Sequence, residues 1–277
     1  MSGLPRISLV TPSMNQAAFL EQTLRSVLEQ QYPQLEVIVI DGGSSDASVD
    51  VIRRYESRLS YWISEPDGGQ AAAINKGFAH STGEILGWLN SDDMLFPGIL
   101  HMVGEIFSRY PEIAWITSWG AHLDYTGKVT RVTPSPGIVR SLIQRGWYHG
   151  RMLGFIRQES TFWRRDLWQR AGGFVDETKT YGMDFDLWKR FAAYADLVTV
   201  QMPLGGFRVH AHQKTAQLDR YYREIGVTLP QQARLITLPA RLIFTLFSTP
   251  FVSRLTHDKG RNEWQFHRGI DFQPGIR

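Results

Sequence analysis

The stretch EVIVIDGGSSD at residues 36–46 decides the fold class of this chain. Its first part is a run of alternating Val and Ile, which favours a buried strand, and its second part is a cluster of Gly, Ser and Asp, which is typical of a sharp turn. A similar apolar run lies at residues 7–11, and apolar residues at helical spacing follow it up to residue 28. Strand, helix and strand in this order predict a βαβ unit with a parallel sheet and a right-handed crossover.

Strands and helices are expected to alternate over about the first 118 residues, and the regular pattern weakens after that. The stretch TPSPG at residues 133–137 has the composition of an exposed loop. The other predicted elements are strands at residues 61–63, 85–89, 113–117 and 197–201, and helices at residues 49–55, 71–78 and in the second half of 163–191.

Composition sets limits on the kind of protein. The chain has 277 residues, of which 43% are hydrophobic and 21% charged, so it has the make-up of a folded globular protein rather than a disordered one. Lys and Arg number 30 against 27 Asp and Glu, and no long basic run is present, so we expect no nucleic-acid partner. Because the sequence contains no Cys, oxygen or imidazole groups would have to hold any metal ion.

Three polar segments follow predicted strands, at residues 11–15, 41–46 and 90–93. Ligands of open parallel sheets bind at the carboxyl ends of the strands, so we expect the three segments to face one crevice. The adjacent carboxylates of Asp92 and Asp93 would repel each other unless they are solvated, share a proton or meet a cation such as Mg²⁺ or Mn²⁺. The alternative interpretation is a solvated Asp-Asp turn that caps the next helix.

Four segments in this order resemble the nucleotide-sugar-binding half of family 2 glycosyltransferases, which have the GT-A fold. The resemblance covers roughly residues 5–215. It implies an α/β fold of the GT-A type, with a Rossmann-like, mostly parallel central sheet flanked by helices. We also expect a helical tail at the C-terminus. The segments are VTPSMN (10–15), IDGGSSD (40–46), EPDGGQ (65–70) with NKG (75–77), and GEILGWLNSDD (83–93).

The resemblance implies an inverting transfer of a sugar from a nucleoside diphosphate sugar to a hydroxyl group of an acceptor, expected to be a growing glycan or a glycolipid. Asp41 would accept a hydrogen bond from the nucleotide base, and Asp67 would help to hold the nucleotide. Asp92 would ligate Mg²⁺ or Mn²⁺, with Asp93 beside it. The expected donor-nucleotide residues are Thr11, Pro12, Ser13, Asn15, Asp41, Asp67, Lys76, Asn90, Ser91 and Asp92.

The second half of the chain is expected to supply the catalytic base and the diphosphate contacts. The segment YGMDFDLW at residues 181–188 resembles the family segment that carries the base, which assigns this role to Asp184. Glu159 is the second candidate for the base. Arg208 is expected to neutralise the leaving diphosphate, and His210 to complete the metal shell or donate to phosphate.

Several positions depart from the family pattern. The family often has Asp where this chain has Gly42 and Asn90, Arg where it has Ile74, and Glu where it has Met183. These departures keep open a second interpretation, in which the protein is catalytically inactive and only binds a nucleotide sugar or serves as a scaffold. A sugar nucleotidyltransferase is a third interpretation, although residues 11–15 lack the Gly-rich, basic triphosphate loop that it would need.

We expect residues 1–118 to bind the nucleotide sugar, residues 119–216 to bind the acceptor and supply the base, and residues 217–277 to form a tail. The first 30 residues lack the sustained apolar core of a secretory signal, which indicates a cytoplasmic protein. Residues 235–255 are apolar-rich, with arginines around them, and too short to span a bilayer. They fit either a peripheral contact with the inner face of the cell membrane, which we favour, or packing within the protein.

Overall fold

The computed structural model describes residues 3–211, 213–227 and 251–270, and it places the predicted strands in one central sheet. The strands are β1 (Ile7–Ser13), β2 (Leu35–Asp41), β3 (Tyr61–Ser64), β4 (Ile85–Trp88), β5 (Met94–Leu95), β6 (Trp115–Leu123), β7 (Val129–Thr133), β8 (Phe162–Arg164), β9 (Leu197–Pro203), β10 (Gly205–Arg208), β11 (Ser253–Asp258) and β12 (Glu263–His267). The helices are α1 (Ala17–Leu28), α2 (Ser48–Tyr55), α3 (Gln70–Ala79), α4 (Ile99–Arg109), α5 (Arg140–Gln144), α6 (Arg165–Arg170), α7 (Met183–Ala192) and α8 (Leu218–Glu224).

The sheet has the order β12-β11-β9-β6-β8-β4-β1-β2-β3 and is mostly parallel. Its first half is the predicted α/β unit, because β4, β1, β2 and β3 are parallel neighbours joined through helices. Strand β8 is antiparallel to both β4 and β6 and joins the two halves of the sheet. The expectation of a mostly parallel central sheet flanked by helices is confirmed.

Successive strand residues belong to two buried clusters, as the alternation of side chains along a strand requires. Leu9 belongs to a cluster with residues of α1, α2 and α4, and the adjacent Val10 to a cluster with residues of α3, α6 and α7. Helix α3 packs directly on β1, since a Cβ atom at Gly77 would lie 2.4 Å from Cγ1 of Val10. This close approach brings the start of α3 to the end of the sheet where β1 and β4 end.

The structure adds elements that the sequence patterns did not predict. Helix α4 follows residues 90–93. Strand β6 continues to Leu123, five residues beyond the point where the regular sequence pattern weakens, and a hairpin turn then leads into β7. Strand β7 is exposed along most of its length, so it lacks the apolar alternation that identifies a half-buried strand.

The tail beyond residue 217 contains both a helix and strands. The predicted helical character applies to α8, whereas β11 and β12 form a hairpin that extends the central sheet from β9. Leu255 is fully buried there, so this part of the apolar segment packs on the core. Residues 228–250 lie outside the described residues, so most of the segment 235–255 that was expected to meet the membrane does too. No helix in the described ranges is both long enough and apolar enough to cross a bilayer.

Candidate active site

The ends of β1, β2 and β3 form the first part of the site. The parallel register places Ser13 beside Asp41 and Asp41 beside Ser64. Asp41 is fully buried, and its carboxylate accepts hydrogen bonds from the backbone N–H of Ser44 (2.9 Å), the hydroxyl of Ser44 (2.5 Å) and the hydroxyl of Ser64 (2.7 Å). Asp41 therefore organises the turn after β2, in addition to any contact with a ligand.

Two buried hydroxyl groups lie at the end of β1, those of Thr11 and Ser13. Neither hydroxyl oxygen has a hydrogen-bond partner among the residues that the structure describes. An unsatisfied buried polar group is costly, so a pair of them at one strand end points to a ligand that completes their hydrogen bonds. Asn15 follows with a φ of 53°, and its side-chain oxygen accepts from the N–H of Ser45 at 2.8 Å, which ties this segment to the turn after β2.

The segment after β3 lies against the same turn. The carboxylate of Asp67 accepts from the N–H of Gly69 at 2.7 Å and lies close to Gly42, where an added Cβ atom would be 3.1 Å from Asp67 Oδ2. An Asp at position 42, which the family often has, would bring a second carboxylate against Asp67. Lys76 forms an ion pair with Glu65 at 2.5 Å, so its ammonium group is bound to this segment rather than free for a diphosphate.

A cavity of about 360 Å³ lies at the end of β4, where Trp88, Asn90 and Asp93 line it. Asn90 stands at its wall and links three elements: its side-chain oxygen accepts from Gln70 (2.7 Å), and its amide nitrogen donates to Gln158 (3.0 Å). Lys214 donates to the side-chain oxygen of Gln70 at 2.8 Å. This chain of polar groups connects the segment at residues 213–217 to α3 and to the end of β4.

Asp92 and His210 are in direct contact, with 3.0 Å between Oδ2 of Asp92 and Nε2 of His210. The other ring nitrogen of His210 is buried and has no hydrogen-bond partner within the described part of the chain. The ring also packs on Phe19, with 4.6 Å between centroids, so its position is fixed. The described ranges contain no group of three or more His, Asp or Glu side chains arranged to hold a metal ion. Asp92 and His210 thus offer two ligand groups, and other ligands would have to come from substrate or water.

The structure differs from the sequence expectation for Arg208. Its guanidinium is fully buried and donates to the backbone oxygens of Asp92 (2.6 Å) and Tyr125 (2.7 Å) and to the side chain of Gln22 (3.0 Å). Its backbone N–H donates to Asp93 at 2.9 Å. All three guanidinium nitrogens are therefore used inside the protein. Arg208 holds residues 92 and 93 in place, and it does not face the cavity.

Three carboxyl groups line the cavity, from Asp93, Glu159 and Asp184. Burial raises the pKa of Asp93 well above its usual range, and the charges of Asp92 and Glu159 raise it further. Burial also raises the pKa of Glu159, and one of its carboxylate oxygens has no hydrogen-bond partner in the described ranges. Burial raises the pKa of Asp184 to about 6. Asp184 is the more accessible of the last two, since it is partly buried and Glu159 is buried.

Helix α7 holds Asp184 in its first turn, so this residue is not the helix cap, which is Gly182. The carboxylate of Glu224 in α8 accepts from the backbone N–H groups of Thr180 (3.0 Å), Tyr181 (2.9 Å) and Gly182 (2.7 Å), which fixes the segment just before Asp184. The sequence patterns missed this contact, because it joins residues more than 40 positions apart. Asp186 instead forms an ion pair with Arg190 at 2.8 Å.

We expect the substitution Asp93→Asn to stabilise the protein at neutral and alkaline pH. A pKa that is higher in the folded than in the unfolded state favours folding at low pH, and this contribution is lost as the pH rises through the folded value. An Asn keeps an oxygen for the N–H of Arg208 and cannot ionise. At about pH 8 the gain should be about 1 kcal/mol, or about 2–4 °C in Tm for a chain of this size.

The measurement is thermal unfolding of both proteins without metal or nucleotide, at about pH 8 and about pH 5, where the difference should shrink. Asp176→Asn is the control, because hydrogen bonds from Thr178 lower the pKa of that carboxyl and its replacement should bring no gain. A lower Tm for Asp93→Asn at the higher pH would contradict the assignment of a costly buried charge.

The sequence matches the profile of glycosyl transferase family 2 over residues 8–170. It is 31% identical over 232 residues to an uncharacterized glycosyltransferase of Mycobacterium tuberculosis, an alignment that covers 82% of this chain and 85% of the mycobacterial one. It is 25% identical over 223 residues to an uncharacterized glycosyltransferase of Rickettsia typhi, with 78% of this chain and 69% of the other covered.

Two solved structures are similar in fold. Residues 1–349 of S. aureus TarS, in complex with UDP-GlcNAc, match with a TM-score of 0.60 at 14% identity, over 88% of this chain and 74% of that one. The mannosyltransferase PcManGT from Pyrobaculum calidifontis, in complex with GDP-Man and Mn²⁺, matches with a TM-score of 0.60 at 19% identity, over 90% of this chain and 72% of that one. At these identities the two likenesses show the GT-A fold.

Proposed function

The chain belongs to glycosyl transferase family 2, and from this membership we propose that it transfers a sugar from a nucleoside diphosphate sugar to a hydroxyl group of a glycan acceptor, with inversion at the anomeric carbon. One observation carries the proposal: Asp184 faces the same cavity as Asn90 and Asp93, the residues at the end of β4. A group that can accept a proton and a strand end that can bind a nucleotide thus meet in one space.

The donor nucleotide is proposed to lie along the ends of β1, β2 and β3. The unpartnered hydroxyls of Thr11 and Ser13 support this placement, as does the carboxylate of Asp67 close to Gly42. TarS in complex with UDP-GlcNAc and PcManGT in complex with GDP-Man have the same fold, which makes uridine and guanosine diphosphate sugars the first donors to test. Ser91 is buried behind the strand end, with its carbonyl accepting from Thr23, and supports the loop rather than the ligand.

Asp92 and His210 are proposed to hold a divalent metal ion. A carboxylate oxygen and an imidazole nitrogen that lie 3.0 Å apart fit Mn²⁺, and Mg²⁺ less well, if diphosphate and water oxygens complete the shell. When bound, the ion would supply positive charge that favours departure of the diphosphate. The neighbouring Lys214 provides a second positive charge at the cavity wall, held there by its hydrogen bond to Gln70.

Asp184 is proposed to accept the proton of the acceptor hydroxyl as that oxygen attacks the anomeric carbon. Its place in the first turn of α7, fixed by the contacts of Glu224, keeps the carboxylate at the cavity. Glu159 lies in the same cavity but is more deeply buried, and burial raises the pKa of its carboxyl. We assign it to positioning and keep it as the second candidate for the base.

The rate of transfer should rise with pH through about pH 6. A base must be ionised to accept a proton, and burial raises the pKa of Asp184 to about 6. Below that value kcat/KM should fall about tenfold per pH unit, and above it the rate should level off. The test is a pH profile with saturating metal. If kcat/KM instead falls only near the ordinary pKa of a carboxyl, about two pH units lower, the role of Asp184 as the base is contradicted.

A further inference from the structure

Arg157 is a charged side chain in the cavity that the proposed reaction leaves without a role. It is partly buried and lies at the cavity wall just before the short 3₁₀ turn at Gln158–Ser160. Its guanidinium lies across the backbone of Gly120 in β6, where an added Cβ atom would come within 2.4 Å of Nε and 2.5 Å of Cζ. The missing side chain at Gly120 thus provides the space that Arg157 occupies.

The guanidinium of Arg157 forms no hydrogen bond or ion pair with any other described residue. Four other partly buried arginines donate to backbone oxygens or to a carboxylate: Arg140, Arg164, Arg165 and Arg190. A guanidinium that has lost part of its water and gained no partner is costly, and its planar set of donors matches a carboxylate or a phosphate.

Arg157 lines the same cavity as the carboxyl groups of Glu159 and Asp184. Its positive charge opposes the rise in the pKa of Glu159 caused by burial, and the charge of Asp184 acts on the same carboxyl. Arg157 is therefore close to the groups proposed to receive the acceptor hydroxyl. Lys214, in contrast, bonds to Gln70 in α3, on the wall that leads to the end of β4.

The surroundings of Arg157 suit a sugar that carries an anionic group. His122 in β6 lines the same wall, and burial, together with the charge of Arg157, lowers the pKa of its imidazole. His122 therefore adds little positive charge near neutral pH. Phe155 and Phe207 provide aromatic surface in the lining of the same cavity, and aromatic rings pack against the C–H faces of sugars.

We propose that Arg157 binds an anionic group, a carboxylate or a phosphate, on the sugar of the acceptor. This inference rests on the proposed function, because it assigns the acceptor to this part of the cavity. It makes the preferred acceptor an acidic or phosphorylated glycan rather than a neutral one.

The test measures binding of three small probes to the full-length protein, saturated with Mg²⁺ and with the nucleoside diphosphate that binds it, by ligand-observed NMR. The probes are methyl glucuronide for a carboxylate, glucose 1-phosphate for a phosphate and methyl glucoside as the neutral reference. We expect one anionic probe to bind about tenfold more tightly than the neutral one, and Arg157→Gln to remove this preference. Whichever anion is preferred identifies the source of the charge.

Two further variants keep the result interpretable. Arg157→Lys keeps the charge but not the forked geometry and should retain part of the preference. Arg145→Gln removes one charge from an exposed position outside the cavity and should leave the preference unchanged. Equal binding of all three probes, no binding of either anion, or a preference that survives Arg157→Gln would overturn the proposal. So would anion binding that disappears when nucleotide is present, since Arg157 would then serve the donor. Failure of the wild type to bind any nucleotide would instead contradict the proposed function.

Discussion

Replacing Asp184 with Asn should reduce the transfer rate by about 10²–10⁴-fold, the usual contribution of a general base, and leave donor binding unchanged. The amide has nearly the same shape and can still accept from the N–H of Phe185, which bonds to Asp184 at 2.7 Å. It cannot take up a proton at any working pH. The loss should therefore appear in kcat, with the Kd for nucleoside diphosphate close to that of the wild type.

Asp186→Asn is the matched control for this prediction. Asp186 lies on the same helix two positions later, but its carboxylate pairs with Arg190 at 2.8 Å and does not line the cavity. Its replacement should cost some stability and little activity. Glu159→Gln completes the series. If Glu159→Gln removes transfer and Asp184→Asn does not, the two carboxyl groups have exchanged roles, and the assignment of Asp184 as base is wrong.

Replacing Asp92 with Ala should weaken binding of Mn²⁺ in the presence of nucleoside diphosphate by about 10²-fold or more, because metal coordination contributes several kcal/mol of charge stabilisation. The variant removes the carboxylate that contacts His210 at 3.0 Å. Transfer should fall with the metal affinity. Free Mn²⁺ is counted directly by electron paramagnetic resonance, so this prediction can be tested without knowing the acceptor.

Asp50→Asn is the control for the metal experiment, since Asp50 is an exposed carboxylate on α2 that pairs with Arg53 at 3.6 Å. It removes one negative charge outside the site and should leave Mn²⁺ binding unchanged. His210→Ala should give a smaller loss than Asp92→Ala, because it keeps the carboxylate of Asp92, whose negative charge attracts the metal ion. Unchanged Mn²⁺ binding in Asp92→Ala would place the metal elsewhere or show that the donor binds without one.

The sequence predicted the parts of the fold that local patterns determine. The strands of the first half have apolar runs that end in polar residues, so the sheet and the contact between residues 11–15 and 41–46 at its edge could be expected. The exposed strand β7 could not be predicted. It pairs with β6 but has no buried face, so its sequence lacks the alternation of apolar and polar residues that identifies a strand. The hairpin of β11 and β12 depends on contact with β9, which lies about 55 residues earlier.

Side-chain direction explains the differences within the candidate site. Arg208 is expected from the sequence to face the leaving diphosphate, but the carbonyls of Asp92 and Tyr125 orient its guanidinium inward. Arg157 and Lys214 are ordinary basic residues in the sequence, and only the folded chain brings them to one cavity. The role of a charged side chain depends on which partners the tertiary structure provides, and spacing along the chain does not encode this.

The most direct test of the central claim is a thermal-shift series with UDP, GDP, dTDP and CDP and their sugars, each with and without Mn²⁺, on the wild type and on Asp92→Ala. We predict that one nucleoside diphosphate raises the Tm of the wild type in a metal-dependent way and that the shift is absent in the variant. Folded wild-type protein that shows no shift with any of these nucleotides would contradict the account of a nucleotide-sugar-dependent transferase.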